Sequence, residues 1–203
     1  MRRRLLLLAA PLSLAGCGSL LPTQKYVPRI TWPLQPAAPT AKITNSNGPV
    51  LLVRAINPAP GLEQRGLQSL TKDGNLIVDY YNLWAVPPAQ ALTQGLINWA
   101  QASGHFSAVV TPGSRLTPDL IVEGELSVLL VDLATNQARA QMTLLIIKPA
   151  LNVAGFAQPL TQTTLYATAP VQGNTPEAQA TAQCAAVASL LSQATALLER
   201  YST

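Results

Sequence analysis

The residues able to move protons, attack a bond or hold a metal are few in this chain. His105 is the one histidine among 203 residues. Catalytic arrangements with a second imidazole and multi-histidine metal sites are therefore excluded. At the start of a short β-rich run, such a histidine reads as a surface or edge residue. Glu123 and Glu125 stand two apart in a strand-like run, so they share one face. Two neighbouring carboxylates can split their pKa values for acid–base work, but on an alternating strand they read as the solvated side. No glycine loop fit to cradle phosphate is present, and no CxxC pair. Charged residues make up 11% of the chain, too sparse for a basic stripe that tracks nucleic acid. The expectation is a non-enzymatic binding or assembly protein with no metal and no cofactor.

The two cysteines carry different chemistry. Cys17 ends a run that starts Met1-Arg2-Arg3-Arg4 and continues from Leu5 to Leu14 with only apolar or small residues apart from Pro11 and Ser13. A cationic start, a ten-residue apolar core and small residues at the exit describe a secretory signal peptide. The core is too short for a permanent membrane span, which takes about 20 residues. Leu14-Ala15-Gly16-Cys17 resembles the lipobox of bacterial lipoproteins at all four positions. That resemblance implies diacylation of the Cys17 thiol, cleavage after Gly16 and acylation of the new amino terminus. Each buried methylene contributes about 0.8 kcal/mol, so two or three chains anchor where one does not. Cys17 is thus the lipid-attachment residue, and residues 1–16 are its signal peptide.

Processing changes the charge. Three of the thirteen basic residues lie in the leader; without them ten face nine acidic residues, a net charge of +1. The high isoelectric point gives no support for nucleic-acid binding. Cys184 is left without a cysteine partner, so no internal disulfide forms. Its Ala-rich helical surroundings suit a small buried apolar residue.

These residues must be held by a domain. Residues 17–48 differ from the rest, with Pro22, Pro28, Pro33, Pro36 and Pro39 and few large aliphatics. That composition favours an extended tether, able to reach ~90 Å over thirty residues, although Tyr26 and Trp32 allow a few residues to pack. The globular unit is expected over 49–203. Val50–Ile56, Gly66–Thr71 and Leu76–Tyr81 read as strands, the last two joined by a tight turn at Asp73-Gly74. A helix over about 88–103 carries Leu92, Leu96 and Trp99 on one stripe, Gly104 ends it, and His105–Thr111 is a short strand. In Asp119–Asp132, Leu120, Val122, Leu126, Val128 and Leu130 are expected on one face. Arg139–Lys148 returns from it, and Leu160–Ala169 is a further strand. Thr175-Pro176-Glu177 opens a last helix, whose stripe is Ala180, Cys184, Val187, Leu191, Ala194 and Leu198. Adjacent strands with two amphipathic helices on one face make an α+β two-layer sandwich. The sheet is expected to be mixed, because the step from the first helix to its strand reads as a crossover.

The stretch Leu76-Ile77-Val78-Asp79-Tyr80-Tyr81-Asn82-Leu83-Trp84-Ala85-Val86-Pro87-Pro88 resembles the ABC-type transport auxiliary lipoproteins, which include the paraquat-inducible protein C-like lipoproteins. There a strand ends in a polar–polar–x–Trp–Ala/Ser–x–Pro segment followed by a helix with Gln and Leu; Asn82, Trp84, Ala85, Pro87 and Leu92 match. The lipobox, Pro118-Asp119-Leu120 and the Ala-rich last helix agree, while the spacer before the domain is longer and richer in proline. The resemblance implies an accessory to an intermembrane lipid-transport system, docking on an MCE-domain protein that serves an ABC permease and ATPase. Asn82, Trp84 and Pro87 are candidates for structural or partner-interface roles; tryptophan is a common interface anchor. Aspartate after the lipidated cysteine is a familiar inner-membrane retention signal. Gly18 stands there instead, so the outer membrane, periplasmic face, is expected. A tethered regulator that reaches through peptidoglycan to activate a cell-wall synthase fits the proline-rich spacer as well. Whether copies join in a homo-oligomer, and which lipid is carried, stay open.

Overall fold

The computed structural model describes residues 25–150 and 155–202; the signal peptide and Cys17 lie outside them. Ten elements follow in order: β1 Ile30–Trp32, β2 Val50–Pro58, β3 Gly66–Leu70, β4 Leu76–Trp84, α1 Pro88–Ser103, β5 Ala108–Val110, β6 Leu120–Asp132, β7 Gln137–Lys148, β8 Gln158–Pro170 and α2 Pro176–Glu199.

The helices start and stop where their residues dictate. Thr175 is the N-cap of α2; its hydroxyl accepts the Ala178 N–H at 3.2 Å, with Pro176 in the first turn, where a missing N–H costs nothing. α1 begins after Pro87 and ends at Gly104, which takes the left-handed conformation (φ +73°) that favours glycine. Leu92, Leu96 and Trp99 are all buried on its inner face.

β6 organises the sheet. Along one side its first half pairs in parallel with β2 and its end in parallel with β3; along the other it pairs antiparallel with β7, which pairs antiparallel with β8. β3 carries β4 antiparallel, β4 carries β1 in parallel, and β2 carries β5 in parallel. The sheet is mixed, but not through α1: that helix joins β4 to β5, which run in opposite directions, while the parallel pairs are those of β6 with β2 and β3, of β2 with β5 and of β1 with β4. Both helices pack on one face, forming the two-layer α+β sandwich. On β7, Ala138, Ala140, Met142, Leu144 and Ile146 all point into that layer and are buried. Gly95 of α1 meets Leu191 of α2, where an added Cβ would lie 2.8 Å from Cδ1.

Two expectations are corrected. The face of β6 does not run through Val128 and Leu130. A bulge between Leu126 and Val128 inserts one residue against β7, so Leu129 and Val131 are buried instead. One extra residue moves every later side chain to the other face, and Val128-Leu129-Leu130-Val131 is apolar in either register. The packed unit also starts before residue 49. β1 joins the sheet, Leu34 is 1% exposed in the core, and the Lys42 and Asn45 N–H groups donate to the Ala102 and Gly104 carbonyls at 2.9 and 2.8 Å. Proline prevents none of this, because a strap over a helix needs few ladder bonds.

Candidate partner-binding surfaces

The Asn82–Pro88 segment is a corner that turns the sheet into α1. Asp79 begins it: its carboxylate accepts the Tyr81 and Asn82 N–H groups at 2.7 and 2.9 Å and the Asn82 side-chain amide at 2.9 Å. The Asn82 side-chain oxygen Oδ1 accepts the Trp32 Nε1–H at 3.3 Å, tying β1 to β4. Trp84 is 1% exposed. It fills the core, so it presents no ring to a partner. Its backbone N–H donates to Arg65 O at 2.6 Å, while the Arg65 guanidinium donates to Ala85 O at 3.0 Å. Pro87 is exposed at the N-cap of α1, and its carbonyl accepts the Ala91 N–H at 3.1 Å. The three candidate residues thus come together in one place, as a clamp, a core filler and a helix start.

What the sequence reading passed over lies just upstream. Leu76, Ile77, Val78, Tyr80 and Tyr81 of β4 are between 37% and 64% exposed. Tyr80 and Tyr81 meet edge to face at 5.1 Å, and the Arg29 guanidinium sits 4.0 Å from the Tyr80 ring centroid. The signal was present as an apolar run with no polar alternation. That pattern is read as a buried strand, whereas here both faces are open.

A second surface is a groove of about 890 Å³ between residues 34–38, β2 and α1. Leu34, Ile56, Val86 and Ile97 form its floor and walls, with Gln90 and Gln94 at its polar side, and no charged side chain lines it.

The groups that could do chemistry are dispersed. Arg54 pairs with Glu123, and Glu125 is exposed on the wet face of β6. His105 Nε2 lies 3.4 Å from a Glu199 carboxylate oxygen, between the end of α1 and the end of α2. Asp132 pairs with Arg139 and accepts the Ala134 and Thr135 N–H groups at 2.8 and 3.2 Å. Burial pushes this carboxyl up, but those amides and the guanidinium outweigh it and hold it below the ordinary aspartate value. The half-buried Cys184 thiol donates to Pro33 O at 3.4 Å. Burial pushes this thiol up, against a smaller opposite effect of the Gln35 backbone. Among the described residues, no three His, Cys, Asp or Glu side chains gather as metal ligands.

Comparison with known proteins fits this picture. The model of the family described as ABC-type transport auxiliary lipoprotein component matches residues 32–194. No curated protein sequence matches the chain. A solved Xanthomonas campestris protein of the DUF330 family shares the fold at 18% identity and TM-score 0.65, over 81% of this chain and 96% of that one. A second solved protein does so at 15% identity and TM-score 0.59, over 86% and 100%. A hypothetical protein of Chlamydia trachomatis does so at 10% identity and TM-score 0.53, over 75% and 97%.

Proposed function

From a chain that belongs to the family of ABC-type transport auxiliary lipoprotein components, we propose a lipid-anchored, non-enzymatic accessory subunit of an intermembrane lipid-transport system. Its partner is a periplasm-spanning MCE-domain protein, and through it an ABC permease and ATPase. The observation that carries this reading is the extent of the match, residues 32–194, directly downstream of Leu14-Ala15-Gly16-Cys17.

Acyl chains on Cys17 hold the domain at the outer membrane, on the periplasmic face, in keeping with Gly18 after the lipidated residue. Only residues 18–29 separate Cys17 from β1, a length that spans at most about 45 Å. The domain therefore works close to the membrane that anchors it. This weakens the alternative of a regulator reaching a cell-wall synthase through peptidoglycan, which drew its support from a tether of thirty residues.

The test is capture of the full lipidated chain from crosslinked cells after the two membranes have been separated. An MCE-domain protein is expected with it, in the outer-membrane fraction. Capture of a cell-wall synthase without an MCE-domain protein would overturn the reading, and recovery with the inner membrane would remove the outer-membrane placement.

A further inference from the structure

The lead into β1 and the first part of β4 together form one apolar face. Thirteen large apolar side chains are exposed among the described residues, and eight of them fall in residues 26–30 and 76–81. The other five stand singly in the chain. Single exposed apolar residues are ordinary, whereas a cluster marks a contact surface. Consecutive strand residues point to opposite sides, yet Leu76, Ile77 and Val78 are all exposed. Beyond Val78, β4 leaves its register with β3 and regains it at Leu83, opposite Gly66. Tyr80 and Tyr81 fall in that gap, without a partner in the ladder. The Arg29 guanidinium lies 4.0 Å from the Tyr80 ring centroid and joins the two segments.

Composition, charge and position each suit a bilayer surface. Tyr26, Tyr80 and Tyr81 combine an apolar ring with a polar hydroxyl, the kind of side chain that collects at headgroup level. Lys25, Arg29 and Lys72 belong to the same two segments and the turn beside them, and none has a carboxylate partner among the described residues. Against them stand Asp73 in the β3–β4 turn and Asp79, whose carboxylate is turned back onto three donors of its own chain. Position selects this face over the others. Cys17 is eight residues before Lys25, a reach of at most about 28 Å. The acyl chains therefore lead out from the β1 side of the sheet. The β8 edge lies five strand spacings away, about 24 Å farther. A strand edge cannot enter hydrocarbon, where its amides would lack acceptors, but phosphate and ester oxygens of the headgroup layer supply them.

We propose that this face rests on the bilayer that holds the Cys17 acyl chains. The tyrosines sit at headgroup level, and Leu76, Ile77 and Val78 reach the acyl boundary. Lys25, Arg29 and Lys72 meet anionic headgroup phosphates. This seat requires the lipid anchor proposed above and not the MCE-domain partner. It fixes the domain in one orientation, with β8 turned away from the membrane.

The full lipidated chain, reconstituted in vesicles of phosphatidylethanolamine and phosphatidylglycerol, provides the test. In a Cys184→Ser background, Tyr26→Cys, Val78→Cys and Tyr166→Cys each carry an environment-sensitive NBD label, and each should keep the circular dichroism of the parent. A nitroxide on the lipid acyl chain, close to the glycerol, should quench the labels at 26 and 78 several-fold more than the label at 166. Lys25→Glu, Arg29→Glu and Lys72→Glu together should weaken that quenching, as should phosphatidylcholine in place of phosphatidylglycerol. Intact mass reads acylation of Cys17 separately. An acylated chain whose labels at 26 and 78 stay unquenched keeps its anchor and loses this seat. Equal quenching at all three positions means a domain that swings freely, and overturns the proposal. A label at 78 shielded from water yet unquenched gives the face to a protein instead, and sinks it too. Quenching unchanged by the charge reversal would overturn the role of the cations. A chain without acyl groups removes anchor and seat together.

Discussion

Gln183 shows what a single side chain contributes to this molecule. It lies on α2 at 0% exposure, and neither its amide nitrogen nor its carbonyl oxygen has a partner among the described residues. An amide buried without hydrogen bonds costs about 1–3 kcal/mol by protein mutational data. Leucine has nearly the same length and no polar atom. Gln183→Leu should therefore raise the midpoint of urea unfolding, with a gain of about 1–3 kcal/mol and an unchanged slope. An equal or lower midpoint would mean that the amide is satisfied in solution. Trp84 makes the complementary point. Its residue type left two roles open, packing between sheet and helix or anchoring an interface; its place in the packing makes it core.

At the scale of the element, the end of α1 is the most constrained junction. Gly104 takes φ +73°, and an added Cβ would lie 2.6 Å from Ile43 O, on the strap that crosses the helix end. Two costs then add for Gly104→Ala: about 1–2 kcal/mol for a left-handed non-glycine residue, and displacement of the strap. Gly113 offers the control, with φ +97° and nothing within 4 Å of its Cβ position. Gly104→Ala should lower the thermal midpoint clearly more than Gly113→Ala. Equal losses would show that the strap gives way freely. α2 is the contrasting element. It is long and apolar enough by composition to cross a membrane, yet its apolar face is packed on the sheet and on α1.

For the whole molecule, the question is where the folded unit begins. Leu34 in the core, β1 on the sheet and the strap bonds to Ala102 and Gly104 make residues 30–48 part of it. A chain starting at residue 25 should unfold like the full domain. One starting at residue 49 loses a buried leucine, worth about 2–5 kcal/mol, and a strand besides. Its urea midpoint should drop sharply, or the chain should fail to fold. Equal stability of the two would return residues 30–48 to the role of linker.

The sequence by itself determined what local chemistry decides. The cap at Thr175, the stop at Gly104, the Asp73-Gly74 turn and the stripes of both helices depend on residues a few positions apart. They were legible without coordinates, as was the α+β class. Asn82, Trp84 and Pro87 were legible as a group but not by role, because whether a tryptophan faces solvent or core is set by residues such as Arg65 and Trp32, distant in sequence. Only the tertiary structure decided three further things. It placed the bulge in β6, where an apolar run fits two registers. It drew a proline-rich segment onto α1, since the matching carbonyls belong to a helix more than fifty residues away. And it left the side chains of β4 exposed on both faces, because an apolar run reads the same whether or not its neighbours cover it.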